Sequence, residues 1–232
     1  MRRPERVVDV WHLELGAAQA DSTLLTADEC ARAERYRIDR RRHEFVAGRA
    51  ALRRILGGYL GCGPRAVVLA LGAHDKPELG NPGAAAARLH FNLSHSEGRG
   101  LLAVSTQEVG VDIEYVRENR NLAGIARRFF AAAESQAFLG LAADLHLAEF
   151  YRIWTHKEAY LKACGTGLSF PSNRFTLDFT AQPVRLLATD MPGDVVGHWQ
   201  FHGLPAAPGY AAAVCYRGER VRPGAFTLAD PR

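Results

Sequence analysis

The chain has 232 residues, enough for one large domain or two of about 100 residues each. With 47% apolar and 23% charged residues it has the material for a packed core, which excludes disorder as its leading description. The net charge is +4, and Arg32, Arg35, Arg37, Arg40, Arg41, Arg42, Arg49, Arg53 and Arg54 crowd one stretch, a pattern that suits phosphate or an acidic partner as well as it suits a solvated helix face.

The opening MRRPERVVDVWHLEL is broken by Asp9, His12 and Glu14, so it is not read as a secretory signal. Apolar runs fall short of the ~18 residues a membrane span needs, so a soluble protein with no membrane partner is expected. Cys30, Cys62, Cys164 and Cys215 form no CxxC pair and are expected to be reduced thiols in a cytoplasm.

Val7 to Leu15 alternates as a strand. Thr26 caps a helix reaching about Tyr36, and His43 to Leu60 makes a second helix weakened at its end by Gly57 and Gly58. Val67 to Leu71 is a strand, and Asn81 to Ala87 a loop. Leu89 to Leu93 and Gly100 to Ser105 are strands around a polar turn, Ser94 to Arg99, and Val109 to Tyr115 is another strand. Leu122 to Phe130, Ala132 to Leu141 and Leu147 to Cys164 are helices. Phe175 to Phe179 and Tyr210 to Tyr216 are late strands. Without a regular βαβ beat, the fold class is α+β. Phe45, Arg49 and Arg53 share a four-residue spacing with Trp154, Glu158 and Lys162, which suits two similar halves, 1–108 and 109–232.

Four stretches carry candidate chemistry. In VGVDIEY, strand alternation puts Asp112 and Glu114 on one face, roughly 7 Å apart at Cα, as a divalent-cation site or a charged solvent face. In FYRIWTHKEAYLKACGTG, Glu158 and Lys162 share a helix face with Trp154, as a cleft wall or a simple ion pair. FNLSHS offers Ser94 and His95 to an anion or is a plain turn; adjacent strand residues point apart, which argues against a Ser–His catalytic pair. In HDKPEL, Lys76 is held extended by Pro77, near a phosphate or flanking a loop. GCGPRA follows a helix and contains Pro64, so it is not a dinucleotide fingerprint, and His198 and His202 are taken as surface residues.

The order KP, FNLSHS, GVDIE, RFF (Arg128 to Phe130) and WTHKEAYLKACGTGL resembles the 4′-phosphopantetheinyl transferase superfamily, in its long form that activates peptide and polyketide synthetases. The resemblance runs from about Thr26 to Leu177. It implies two similar subdomains about a pseudo-twofold axis, with coenzyme A in the cleft between them. It implies Mg²⁺, or Mn²⁺, held by Asp112, Glu114 and Glu158, with Lys162 on the pyrophosphate. Ser94 and His95 would touch the nucleotide phosphates with Asn92 supporting them. Lys76 and Pro77 would line the adenine site, Arg32 would meet the 3′-phosphate, and Arg49 would sit in the cleft. Where some members carry a second basic residue a turn before Arg32, this chain has Glu29. His156 receives no role.

The implied reaction moves 4′-phosphopantetheine from coenzyme A to a serine of an apo acyl or peptidyl carrier protein and releases 3′,5′-ADP. Glu158 takes the serine proton, and Lys162 steadies charge on the leaving group. A basic enzyme is steered to an acidic carrier, and a monomer is expected. The rivals are another coenzyme A-dependent enzyme such as an acyltransferase, and a basic nucleic-acid-binding module. The first has no need of three carboxylates, and the second leaves them unexplained.

Overall fold

A computed structural model describes residues 8–72, 76–81 and 89–228. Val7 of the first expected strand, His74 and Asp75 of HDKPEL, and 82–87 of the expected loop lie outside the described residues. Contacts divide the chain into two units: one runs to Thr106 and takes back the stretch from Arg222, the other is Gln107–Val221. The mixed α+β class holds in both.

In the first unit, β1 (Val8–Glu14) precedes α1 (Ala27–Glu34) and α2 (Asp39–Leu60). Thr26 caps α1 through a reciprocal box: its hydroxyl accepts from the Glu29 amide, and the Glu29 carboxylate accepts from the Thr26 amide at 3.0 Å. The α2 helix starts four residues before the expected His43 and runs through Gly57 and Gly58. It buries Ala47, Ala51, Leu52, Ile55 and Leu56 in a cluster with Leu13, Leu15, Phe91, Leu102 and Val104. Burying this face supplies the main stabilisation, at about 25 cal/mol per Å² of apolar surface.

Then come β2 (Leu69–Leu71), β3 (Pro77–Leu79), β4 (His90–Ser96) and β5 (Arg99–Ser105). The expected polar turn at Ser94 to Arg99 is corrected here. FNLSHS is strand through to Ser96, and the turn is the pair Glu97 and Gly98 at φ 46° and 81°. Two left-handed residues in succession fit the twist of a tight hairpin, and glycine takes the second without steric cost. In the sheet, β1 lies antiparallel to β5, and β5 to β4. The strand Gly224–Thr227 runs parallel along the other side of β1, returning the C-terminal stretch to the first unit.

The second unit begins with β6 (Val109–Tyr115), followed by α3 (Leu122–Phe129), α4 (Ala132–Leu139) and α5 (His146–Cys164). The strands β7 (Phe175–Asp178), β8 (Arg185–Thr189), β9 (Trp199–Gly203) and β10 (Tyr210–Arg217) complete it. The sheet order β6-β10-β9 is antiparallel throughout, and α5 lies across β6 and β10. Tyr160, Phe175, Trp199, Phe201 and Cys215 form its core, and a second cluster gathers Phe130, Phe138, Phe150, Tyr151 and Ile153. His198 is exposed, as expected, whereas His202 is half-buried: its ring stacks on Tyr216 at 5.7 Å and hydrogen-bonds that hydroxyl at 3.0 Å.

Candidate functional site

On β6 the alternation works as the sequence requires. Gly110, Asp112 and Glu114 face Cys215, Ala213 and Ala211 across the ladder to β10. These neighbours are small, so α5 can come close over that face. It comes closest at Gly110, where a Cβ would run into the backbone carbonyl of Ala159 and the amide nitrogen of Ala163. A side chain there would have backbone, not a flexible group, to displace.

This approach brings Lys162 of α5 over Asp112. Its ammonium donates to Asp112 Oδ1 at 2.6 Å, and Asp112 is 2% exposed. Glu158 sits one turn earlier on the same helix face. Its carboxyl is pushed up to about 7, first by burial and then by the Asp112 charge, with Lys162 opposing and Glu114 adding. Asp112 and Glu114 therefore both act on Glu158, and Lys162 offsets them there. Among the described residues, no group of three or more His, Cys, Asp or Glu side chains is gathered as a metal-ligand set.

The neighbours of Glu158 in THKEA are structural. Lys157 is 2% exposed and donates to Glu134 at 2.6 Å and to the Phe175 carbonyl at 2.9 Å. Burial brings its ammonium down to about 8 while Glu134 supports the charge. Glu134 also accepts from the amides of Ala131 and Leu177, so one buried pair ties α4, α5 and β7 together. His156 Nδ1 donates to the Arg152 carbonyl at 2.7 Å, and burial lowers the proton affinity of the ring to about 4. Trp154 stacks on Phe150 and meets the edge of Phe129 in the aromatic cluster. Sequence reasoning did not find the Lys157–Glu134 pair, because the two partners lie 23 positions apart on different helices.

The first unit gathers the basic half of the predicted set. A pocket of about 200 Å³ is lined by Arg32, Arg49, Pro77, Asn92, His95 and also Glu44. Phe45 forms its hub, with the Arg32 guanidinium 5.4 Å and that of Arg49 5.6 Å from its ring centre. Burial lowers the Arg49 proton affinity; Glu29 opposes this, and the like charges of Arg32 and Arg53 add to it. Ser94 is buried on the strand beside His95 and is not part of that lining, whereas Lys76 is half-buried next to Pro77. A larger hollow of about 620 Å³ is lined by another set, including His12, Gln19, Asp21 and Arg54.

The remaining arginines of the cluster are largely engaged. Arg53, 2% exposed, pairs with Glu29 at 2.8 Å and donates to the carbonyls of Pro64 and Val67. Glu29, which stands where a further cation was sought, therefore caps α1 and neutralises Arg53. Arg54 pairs with Asp21, Arg42 with Asp39, and Arg40 with Glu97. Arg32 and Arg49 are the arginines that line the pocket.

The family model described as the 4′-phosphopantetheinyl transferase superfamily matches residues 108–215, which span β6 and α5. Among curated proteins, the chain is 40% identical over 167 residues to the 4′-phosphopantetheinyl transferase HetI of Nostoc sp., covering 70% of each chain. It is 33% identical over 192 residues to the 4′-phosphopantetheinyl transferase psf-1 of Bacillus pumilus, covering 81% of this chain and 76% of that one. It is 32% identical over 126 residues to the 4′-phosphopantetheinyl transferase Sfp of Bacillus subtilis, covering 54% of each. With the GVDIE strand and the WTHKEAYLK helix joined through Asp112 and Lys162, and relatives alike over most of their length, this chain belongs to the 4′-phosphopantetheinyl transferase superfamily.

Proposed function

We infer that the protein transfers the 4′-phosphopantetheine group of coenzyme A to a serine hydroxyl of an apo carrier protein, as a holo-carrier-protein synthase. The observation that carries this reading is the cluster on β6 and α5. A buried aspartate is paired to Lys162, and Glu158, one helical turn away, has a proton affinity near neutrality. The basic pocket of the first unit supplies what the nucleotide end of coenzyme A needs: Arg32, Arg49 and His95 for phosphate, and Pro77 for the adenine side.

In this reaction the serine oxygen forms a bond to the phosphorus of the pantetheine phosphate. The bond from that phosphorus to the bridging anhydride oxygen breaks, and 3′,5′-ADP leaves with the electron pair. Little covalent work falls to the protein, which must align the attack and balance charge. Glu158 takes the serine proton. Lys162 offsets charge growing on the leaving phosphate.

Oxygen donors from three carboxylates fit a hard divalent cation in chemistry, and the charge that Asp112 and Glu114 press on Glu158 is what such an ion relieves. Asp112, Glu114 and Glu158 would hold Mg²⁺ or Mn²⁺, which when bound draws charge from the pyrophosphate oxygens. The reading also includes two subdomains related by a pseudo-twofold axis and one coenzyme A served by both clusters, in a monomer.

Intact-protein mass spectrometry tests it. An apo carrier incubated with the protein, coenzyme A and Mg²⁺ gains the mass of one phosphopantetheine, and the gain is lost in EDTA and with Glu158→Ala. No gain with acyl, peptidyl and aryl carriers, despite measured binding of coenzyme A, overturns the transfer.

A further inference from the structure

We propose that Glu44 is a specificity-determining residue of the first unit's pocket, its carboxylate accepting a hydrogen bond from the ribose 2′-hydroxyl that stands beside the 3′-phosphate of the bound nucleotide. This rests on the coenzyme A reading above and names a feature of the substrate that the pocket selects.

The packing of α2 along β4 places the residue. A Cβ on Gly48 would stand 3.8 Å from Leu93, and two helical turns earlier Arg40 pairs with Glu97 at the hairpin turn. One turn of helix advances about as far as two strand residues, so the step between these two contacts sets Glu44 at the level of His95. Both line the pocket.

Glu44 is 7% exposed, and its Oε1 is buried with no hydrogen-bond partner among the described residues. The Arg40 guanidinium stands 3.6 Å from that oxygen, while it also engages Glu97. A buried carboxylate oxygen with no donor is costly to keep. In a pocket whose other polar walls are Arg32, Tyr36, Arg49, Asn92 and His95, the fitting ligand brings an anion and a hydrogen-bond donor a few ångströms apart. A ribose 3′-phosphate with a free neighbouring hydroxyl is such a group. A phosphate on that hydroxyl would meet the Glu44 charge and be rejected, so the same carboxylate selects for the donor and against a second anion.

Titration calorimetry with adenosine 3′,5′-bisphosphate and its 2′-deoxy analogue tests the assignment on the wild-type protein, Glu44→Gln and Glu44→Ala. The wild type binds the hydroxyl-bearing ligand about tenfold or more tightly than the deoxy ligand, as a charge-assisted hydrogen bond requires. Glu44→Ala binds the two within about twofold of each other, and Glu44→Gln, which keeps the volume, falls between. Equal affinities in the wild type, or a preference that persists in Glu44→Ala, overturn the assignment and leave the coenzyme A reading standing. Failure of the wild type to bind either ligand overturns both. The wild-type comparison decides even where a variant does not fold.

Discussion

Asp112 and Lys162, 50 positions apart in the chain, meet at 2.6 Å because Gly110 lets strand β6 and helix α5 touch backbone to backbone. The pair is a consequence of that approach. Any side chain at 110 must push the helix off the strand, carrying Lys162 and Glu158 away from Asp112. We expect Gly110→Ala to lower stability by roughly 2 kcal/mol or more. Val111→Ala, which trims a fully buried residue on the opposite face of the same strand, supplies a control of comparable stability cost. Denaturant unfolding and turnover measured together separate the two effects. At equal fraction folded, Gly110→Ala loses most of its turnover and Val111→Ala keeps it. Equal turnover in both would show that the approach does not set the site.

Two lysines on α5 are expected to fail in different ways. Lys157 is buried against Glu134, which also holds two backbone amides. Lys157→Met strands that carboxylate and costs about 3–5 kcal/mol of stability. Adding Glu134→Leu does not restore the loss, because the amides of Ala131 and Leu177 then lose their acceptor. Lys162, whose side chain is 26% exposed, sits at the edge of the cluster. Lys162→Met strands the buried Asp112 carboxylate, so it is also expected to lose stability, but unlike Lys157→Met it loses turnover when compared at equal fraction folded. A Lys162 variant with normal turnover would remove this residue from the chemistry.

Much of this was legible in the sequence where the information is local. Alternation in VGVDIEY placed Asp112 with Glu114, and four-residue spacing placed Glu158 with Lys162; the structure adds that the two faces meet. The polarity of Ser94, His95 and Ser96 suggests a turn that starts three residues too early. The turn belongs to Glu97 and Gly98, whose left-handed backbone leaves a weaker mark in the sequence. Strands β8 and β9 were missed in a Pro- and Gly-rich stretch, where Trp199 and Phe201 are buried by long-range contacts that no local period announces. The role of Glu29 was hidden for the same reason. Its partner Arg53 lies 24 residues on.

Arg49 and Arg53 lie one turn apart on α2 and are expected to separate binding from folding. Arg53 is enclosed by Glu29 and two carbonyls, so Arg53→Ala leaves buried polar groups without their donor and lowers stability. Arg49 faces the pocket over Phe45. Arg49→Ala is expected to weaken binding of 3′,5′-ADP by roughly 10- to 100-fold and to flatten its salt dependence, with a smaller effect on unfolding. Calorimetry at two salt concentrations checks this. Unchanged affinity in Arg49→Ala would place the phosphate elsewhere.

His202 gives the fold a pH dependence of known sign. Burial lowers its proton affinity below the ordinary value of 6.5, and the Arg220 charge adds to this. The Tyr216 hydroxyl donates to the Val221 carbonyl at 2.7 Å, so the His202 Nε2 at 3.0 Å must be the donor to the tyrosine oxygen, and an added proton goes to Nδ1. With the folded value below the unfolded one, the unfolded chain binds the proton more readily. Stability is therefore full above about pH 6.5 and is lost as the pH falls through the folded value. Unfolding curves from pH 7.5 downward should show the wild type losing more stability in acid than His202→Gln, which carries no titrating group at that position. Parallel losses in the two proteins would mean that the ring is protonated equally well in the folded and unfolded chains, and that its burial against Tyr216 costs the imidazolium nothing.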